Sequence, residues 1–332
     1  MSCLTSYRRA VPAALALAAA LAGAAAACTP SSPQVSPDSA APSAAASAIA
    51  IDSASLLGDL ARLADDSMRG RAIGTPENAE ARAFIAHRFD ELGLGVVGVG
   101  RVQPFTFARR DSTQVQGANV VGVVRGTELP DRYIVVSAHF DHVGVGRPVN
   151  GDSIYNGADD NASGTAALMA LAAWFAQHPA SHSLVFAAFD GEESGLRGAR
   201  AFVAEPPVPL AQIALDVNMD MVSHSEKGEL YAAGAAKYPE LRAPLERVAA
   251  SAPVTLLLGH DTPQPTAHDD WTSQSDQGAF HAKQIPFVYF GVEDHPDYHR
   301  PSDELPTITA GFYVRAVQTV LQTVQALDAT VR

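Results

Sequence analysis

Cysteine is almost missing: Cys3 and Cys28 are the only two in 332 residues. Both fall in the first 28 positions, so the chain beyond them has no disulfide to form and no thiolate to offer a metal. Any metal it holds is bound by histidine and carboxylate. Positive charge is scarce as well, with 23 Lys and Arg against 36 Asp and Glu, a net of −13. A phosphate backbone needs a basic stripe to displace its counterions, so nucleic acid is excluded as a partner. No Gly-x-Ser-x-Gly stretch occurs, which leaves a serine hydrolase without its nucleophile elbow. Gly95, Gly98 and Gly100 in GVVGVG lack the Lys-Ser/Thr ending of a phosphate-binding loop.

Long apolar runs are confined to the start. MSCLTSYRRAVPAALALAAALAGAAAAC puts Arg8 and Arg9 before an Ala/Leu segment that Pro12 interrupts, with small residues ahead of Cys28. That pattern predicts an export signal over residues 1–28 in place of a permanent span. The run AAAC resembles a bacterial lipoprotein box with Cys28 as the lipidated residue; simple cleavage and secretion is the alternative. Either way the protein is expected in the cell envelope, lipid-anchored on the periplasmic side, or secreted. Residues 29–51 are Pro, Ser and Ala with few large apolar side chains, too few to offset ordering entropy, and read as a tether.

From residue 52 to 332, helix-like and strand-like segments alternate. Amphipathic stretches cover 53–64 and 76–94, and further helices are expected at 163–177, 194–204, 236–251, 276–283 and 306–328. Continuous apolar runs stand at 119–124, 133–138, 183–189, 213–219, 229–234, 254–258 and 285–292, as strands buried on both faces do. The expected fold is α/β, a three-layer α/β/α sandwich with a mixed, mostly parallel central sheet, in one catalytic-sized domain.

Open α/β sheets bind ligands at the carboxyl ends of their strands. Four apolar runs lead there into His139 and Asp141, into Asp190, Glu192 and Glu193, into Asp220, and into His295 and His299. Carboxylates buried together need cations to neutralise them. Three ligand carboxylates and one hydroxide carry four negative charges, which two divalent ions cancel. Histidine with carboxylate suits zinc. NGADDNASG, at 156–164, offers a short loop with two adjacent carboxylates, Asp159 and Asp160.

AHFDHVG (138–144), NGADDNASG, FDGEESGLRGARAF (189–202), NMDMVS (218–223) and DYHRPSDE (297–304) together resemble, in order, the metal-site blocks of the dizinc aminopeptidases of metallopeptidase family twenty-eight. DSMRGRAIGTPEN (66–78) and SDQGAFHAKQIP (275–286) extend the resemblance over nearly all of 52–332. It implies the zinc exopeptidase fold and two Zn²⁺ ions per chain. Asp159 would bridge both ions, His139 and Asp220 would complete one, and Glu193 and His299 the other. Glu192 would be the general base, and Asp141 the carboxylate orienting His139 through its other ring nitrogen. The peptide bond between Asp159 and Asp160 would be cis. Asp190 is read as structural, and Asp303 as holding the His299 loop. His142 and His295 are read as neighbours of the site, and His178, His182, His224, His260, His268 and His281 as surface or core residues. Gln277 stands where relatives often carry Tyr or His, which leaves the oxyanion donor open.

The implied activity is that of an aminopeptidase: a zinc-held hydroxide cleaves N-terminal residues from peptides with a free N-terminus. The chain is expected to be a monomer that meets a membrane only through Cys28. A carboxypeptidase or dipeptidase, or a glutaminyl cyclase, would use the same scaffold. Outside enzymes, an inactive peptidase-like periplasmic binding module would need to lose Glu192 or a ligand, and none is lost.

Overall fold

The computed structural model describes residues 50–262 and 269–331. The expected export signal, the anchor at Cys28, the tether up to residue 49, and His268 lie outside the described residues. Ile51, counted with the tether, is buried, and the Ala50 amide donates to Gln318 Oε1 at 2.7 Å. Among the described residues, no helix is long and apolar enough to cross a membrane.

In chain order the elements are α1 (Ser53–Leu63), α2 (Pro76–Glu91), β1 (Val102–Ala108), β2 (Gln114–Val124), β3 (Leu129–His139), β4 (Gly144–Val149), β5 (Asp152–Tyr155), α3 (Gly164–Gln177) and β6 (His182–Phe189). There follow α4 (Arg197–Ala204), β7 (Ile213–Met219), β8 (Glu229–Ala233), α5 (Arg242–Ala249), β9 (Thr255–Leu258), α6 (Gln277–His281), β10 (Phe287–Gly291) and α7 (Ala310–Asp328). Eight strands form one sheet in the order β1-β2-β6-β3-β7-β10-β8-β9. The four central strands β6, β3, β7 and β10 run parallel, and antiparallel pairings join β2 and β8 to either side of them.

The apolar runs alternate between two cores because successive side chains point to opposite faces of a strand. Ile134, Val136 and Ala138 of β3, with Leu184, Phe186 and Ala188 of β6, enter the core under α1, α2, α3 and α7. Val135, Val185, Ala187 and Phe189 enter the other, beneath α4 and α6 with Phe202 and Phe280. The sheet is therefore covered on both sides, which gives the α/β/α sandwich. The sequence pattern did not reveal β1 or the β4–β5 hairpin. In β1 no residue is fully buried and Pro104 interrupts an edge strand, where a missing amide is tolerated; β4 is mostly exposed and carries Gly and Pro.

Candidate metal centre

The four parallel strands end side by side, and each end delivers a donor. β3 closes on His139, whose carbonyl accepts from Thr165 Oγ1 at 2.7 Å. β6 turns into the loop with Glu192 and Glu193, β7 runs into Asp220, and β10 leads to the loop with His299. Asp160 joins these ends. Its Oδ1 lies 3.5 Å from His139 Nε2, itself 3.2 Å from Asp220 Oδ1. Its Oδ2 lies 3.0 Å from His299 Nε2 and 3.6 Å from His142 Nδ1. Both imidazoles face Glu193 Oε1, at 3.3 and 2.8 Å respectively. Two donor sets result, His139/Asp160/Asp220 and His142/Asp160/Glu193/His299, and Asp160 belongs to both.

The bridging position expected of Asp159 thus falls to Asp160. Asp159 Oδ1 is already taken by the Ser223 amide and hydroxyl, each at 2.7 Å, and its Oδ2 faces His295 Nε2 at 3.1 Å. The cis peptide bond likewise falls one residue later, between Asp160 and Asn161. The Asn161 side chain donates to Met219 O at 2.9 Å and accepts from the Gly164 amide at 2.8 Å, which turns the chain so that Asp160 points inward. Gly157 has φ 59°, and a Cβ there would collide with Asp160 O and the His142 ring. From the far loop, Asp303 accepts the Asp159 amide on Oδ1 at 2.9 Å and the Asp160 amide on Oδ2 at 3.0 Å. It therefore clasps the His299 loop to the Asp160 turn.

His142, read from sequence as a bystander, stands inside one donor set, fully buried. Its place three residues after His139, just past a strand end, was the available signal. Asp141 differs in detail from the expectation. The His139 Nδ1 partner is the Asp141 carbonyl at 3.1 Å, whereas the carboxylate is 3.7 Å away and accepts the Glu192 amide at 3.0 Å. Asp190 is buried, accepting from the Ala118 amide and Asn78 Nδ2. Gln277 is committed elsewhere: its Oε1 accepts from Asn218 and its Nε2 donates to Trp271 O.

Arg71 supports the site from below. It is fully buried, and its guanidinium donates to Phe140 O, Leu63 O, Asn156 O and Gly157 O at 2.5 to 3.0 Å. Burial lowers its pKa to about 10, against the pull of Asp160, Asp303 and Asp141, so it remains a cation at neutral pH.

Electrostatics and unmet bonding both suit a cation. Burial works against charge on His139 and His299, yet Asp220 raises the first well above the usual imidazole range, and Asp160 and Glu193 raise the second to about 10. Burial pushes Asp160 and Glu192 upward, while the imidazoles of His142 and His299 overcome burial at Glu193 and hold it low. A pocket that draws protons onto its imidazoles has negative potential to neutralise. His139 Nε2, Asp220 Oδ1, Glu193 Oε1 and both His142 nitrogens are buried without a well-formed hydrogen bond. Such atoms are costly unless ligated. Imidazole and carboxylate donors without sulfur fit divalent zinc. A cleft of about 70 Å³ opens onto the two sets, walled by Glu192, Trp271, Tyr289, Asp294 and Tyr298.

The architecture and part of the sequence are shared with known proteins. An aminopeptidase from Aneurinibacillus sp. strain AM-1 superposes with a TM-score of 0.67 at 16% identity, covering 85% of this chain and 94% of that one. A glutaminyl cyclase from Porphyromonas gingivalis reaches 0.66 at 18% identity, covering 84% and 98%. At those identities the likeness is one of fold. A probable zinc metalloprotease of Pyrenophora tritici-repentis is 36% identical over 107 residues, 32% of this chain and 24% of that protein. The chain spans about a quarter of the length of the first curated relatives it matches. The model of Peptidase family M28 matches residues 119–324, more than half of the sequence and every donor in both sets; the chain belongs to that family.

Proposed function

We propose that the protein is a zinc-dependent exopeptidase, an aminopeptidase that removes N-terminal residues from peptides, with two zinc ions per chain. The observation that carries this reading is Asp160, whose two oxygens face two separate histidine-carboxylate sets at the base of one cleft. His139 and Asp220 would hold one ion, and Glu193 and His299, with His142 beside them, the other. When bound, zinc polarises a substrate carbonyl and acidifies water.

The chain's own groups account for the remaining steps. Glu192 lines the cleft with its carboxyl raised by burial, which suits a general base that takes a proton from water and returns it to the departing amine. The Asp141 carboxylate fixes the Glu192 backbone by accepting its amide. Tyr298 lines the same cleft, its ring stacked 4.0 Å from that of His299, and burial pushes its hydroxyl far above the usual range. It stays protonated and can donate to the oxygen of a scissile carbonyl, the role Gln277 is not free to take.

The small cleft admits a chain end more readily than a continuous strand. Its walls favour the amino end: Asp294 adds a carboxylate outside the donor sets, and no Lys or Arg is among the described lining residues to receive a terminal carboxylate. The test is a panel of amino-acid amides and peptides, free and N-acetylated, with wild type, Glu192→Ala and chelated protein. Free substrates should be cleaved, with the rate lost on chelation and in the variant. Equal cleavage of acetylated peptides would refute the aminopeptidase reading, and activity surviving chelation would refute the metal chemistry.

A further inference from the structure

On the far side of Asp159 lies a second cluster, separate from the two donor sets. His224, four residues beyond Asp220, meets His295 and Asp297 of the loop after β10, and one donor atom of each lies within 4.8 Å of the others. The two imidazoles stack with centroids 4.0 Å apart and planes 21° from parallel. The His295 side chain is only 7% exposed, and its Nε2 lies 3.1 Å from Asp159 Oδ2. A carboxylate accepts there only from a protonated Nε2, which in neutral imidazole leaves the lone pair on Nδ1. That Nδ1, and the Nδ1 of His224, are buried with no hydrogen-bond partner.

Two buried imidazole nitrogens left without a partner in neighbouring stacked rings are costly. A cation removes the conflict. The carboxylate-histidine pair is the arrangement that fixes tautomer and ring orientation for a metal-binding imidazole. Asp297 supplies the anionic donor, its Oδ1 steadied by the Ser302 hydroxyl at 2.7 Å. With Asp159, the cluster then carries two negative charges, which one divalent ion balances. Two nitrogens and one oxygen favour zinc, copper or nickel over magnesium or calcium. A surface pocket of about 260 Å³, lined by His224, Ser225, Lys227 and His295, gives an ion a path in and room for water as a further ligand.

We propose that His224, His295 and Asp297 form an additional transition-metal site, with Asp159 as the residue that orients His295. The site would act as a brace. His295 and Asp297 share a short loop with His299, tightened by the Tyr298 amide on His295 O and the Arg300 amide on Asp297 O. His224 follows Asp220, and Asp159 precedes Asp160, so an ion there ties together three segments that present the catalytic donors.

The test uses the full chain, dialysed to equilibrium against buffered ZnCl₂, with bound zinc counted by mass spectrometry. His224→Ala and Asp297→Asn should each bind one equivalent less than wild type, and Lys227→Ala, at the pocket rim, should bind the same as wild type. The count is repeated in an Asp160→Asn background, where adding His224→Ala should again remove one equivalent. Loss at that step with no loss from Asp160→Asn alone would uphold the additional site while overturning the dinuclear one. As a second readout, Cu²⁺ added to Asp160→Asn protein should show spin coupling to two imidazole nitrogens, reduced to one by His224→Ala. Unchanged zinc stoichiometry in both His224→Ala and Asp297→Asn would overturn the proposal.

Discussion

Replacing Arg71 with methionine removes a side chain that touches no substrate, yet it should be among the most damaging single changes outside the cleft. The buried carbonyls of Phe140, Leu63 and Asn156 lose their donor together, while Gly157 O keeps the Ala162 amide at 3.1 Å. Each buried group left unpaired costs about 1–3 kcal/mol, so for three the upper bound is about 9 kcal/mol and the lower about 3. Partial relaxation and entry of water favour the lower figure. Against a total stability of about 5–15 kcal/mol, even that is a large fraction. For a domain of this size about 1 kcal/mol moves the melting temperature by roughly 2 °C, so a fall of about 6 °C or more is expected. The assay is thermal unfolding of metal-free wild type and variant by circular dichroism. Arg71→Lys keeps a charge but not the planar fork, and should recover only part of the loss. A melting temperature for Arg71→Met within about 2 °C of wild type would show that the guanidinium does not hold these carbonyls at a cost to stability.

Asp160→Asn is expected to lose zinc from both donor sets, measured by mass spectrometry, and to abolish peptide cleavage; Asp159→Asn, which can still accept from Ser223, should retain measurable activity. Tyr298→Phe should lower kcat by about 10²–10³ with little change in KM, as loss of one oxyanion donor does. Asp276 is fully buried with both oxygens unpartnered, and burial raises its pKa from 3.8 to about 8. The native metal-free protein therefore keeps a proton that the unfolded chain releases above pH 3.8, so this group makes stability fall as pH rises from about 4 to 8, by up to about 1.4 kcal/mol per unit. Asp276→Asn should flatten that decline in denaturant titrations run at several pH values.

The strands were legible because doubly covered strands need apolar residues on both faces, and their ends pointed to His139, Glu193, Asp220 and His299. What remained hidden depended on distant partners. Adjacent aspartates look alike in sequence; only the Ser223 hydroxyl and amide on Asp159, and the Asn161 side chain reaching Met219 O, separate their roles. His224 and His295 stack across a gap of about seventy residues, and local spacing carries no trace of that encounter. β1 escaped notice because an edge strand does not need an unbroken apolar run.

The strand order also bears on when the metal centre comes into being. His139 and His299 are 160 positions apart, and they come to flank Asp160 only after β6, β3, β7 and β10 have aligned in register. A fragment without β10 can group His139, Asp160 and Asp220 but lacks His299, so the second donor set is completed last and reports full assembly. An ion that binds the native chain alone shifts the equilibrium toward it. A chain arrested with β10 undocked would keep one donor set and lose only His299 from the other, so its zinc binding would be diminished.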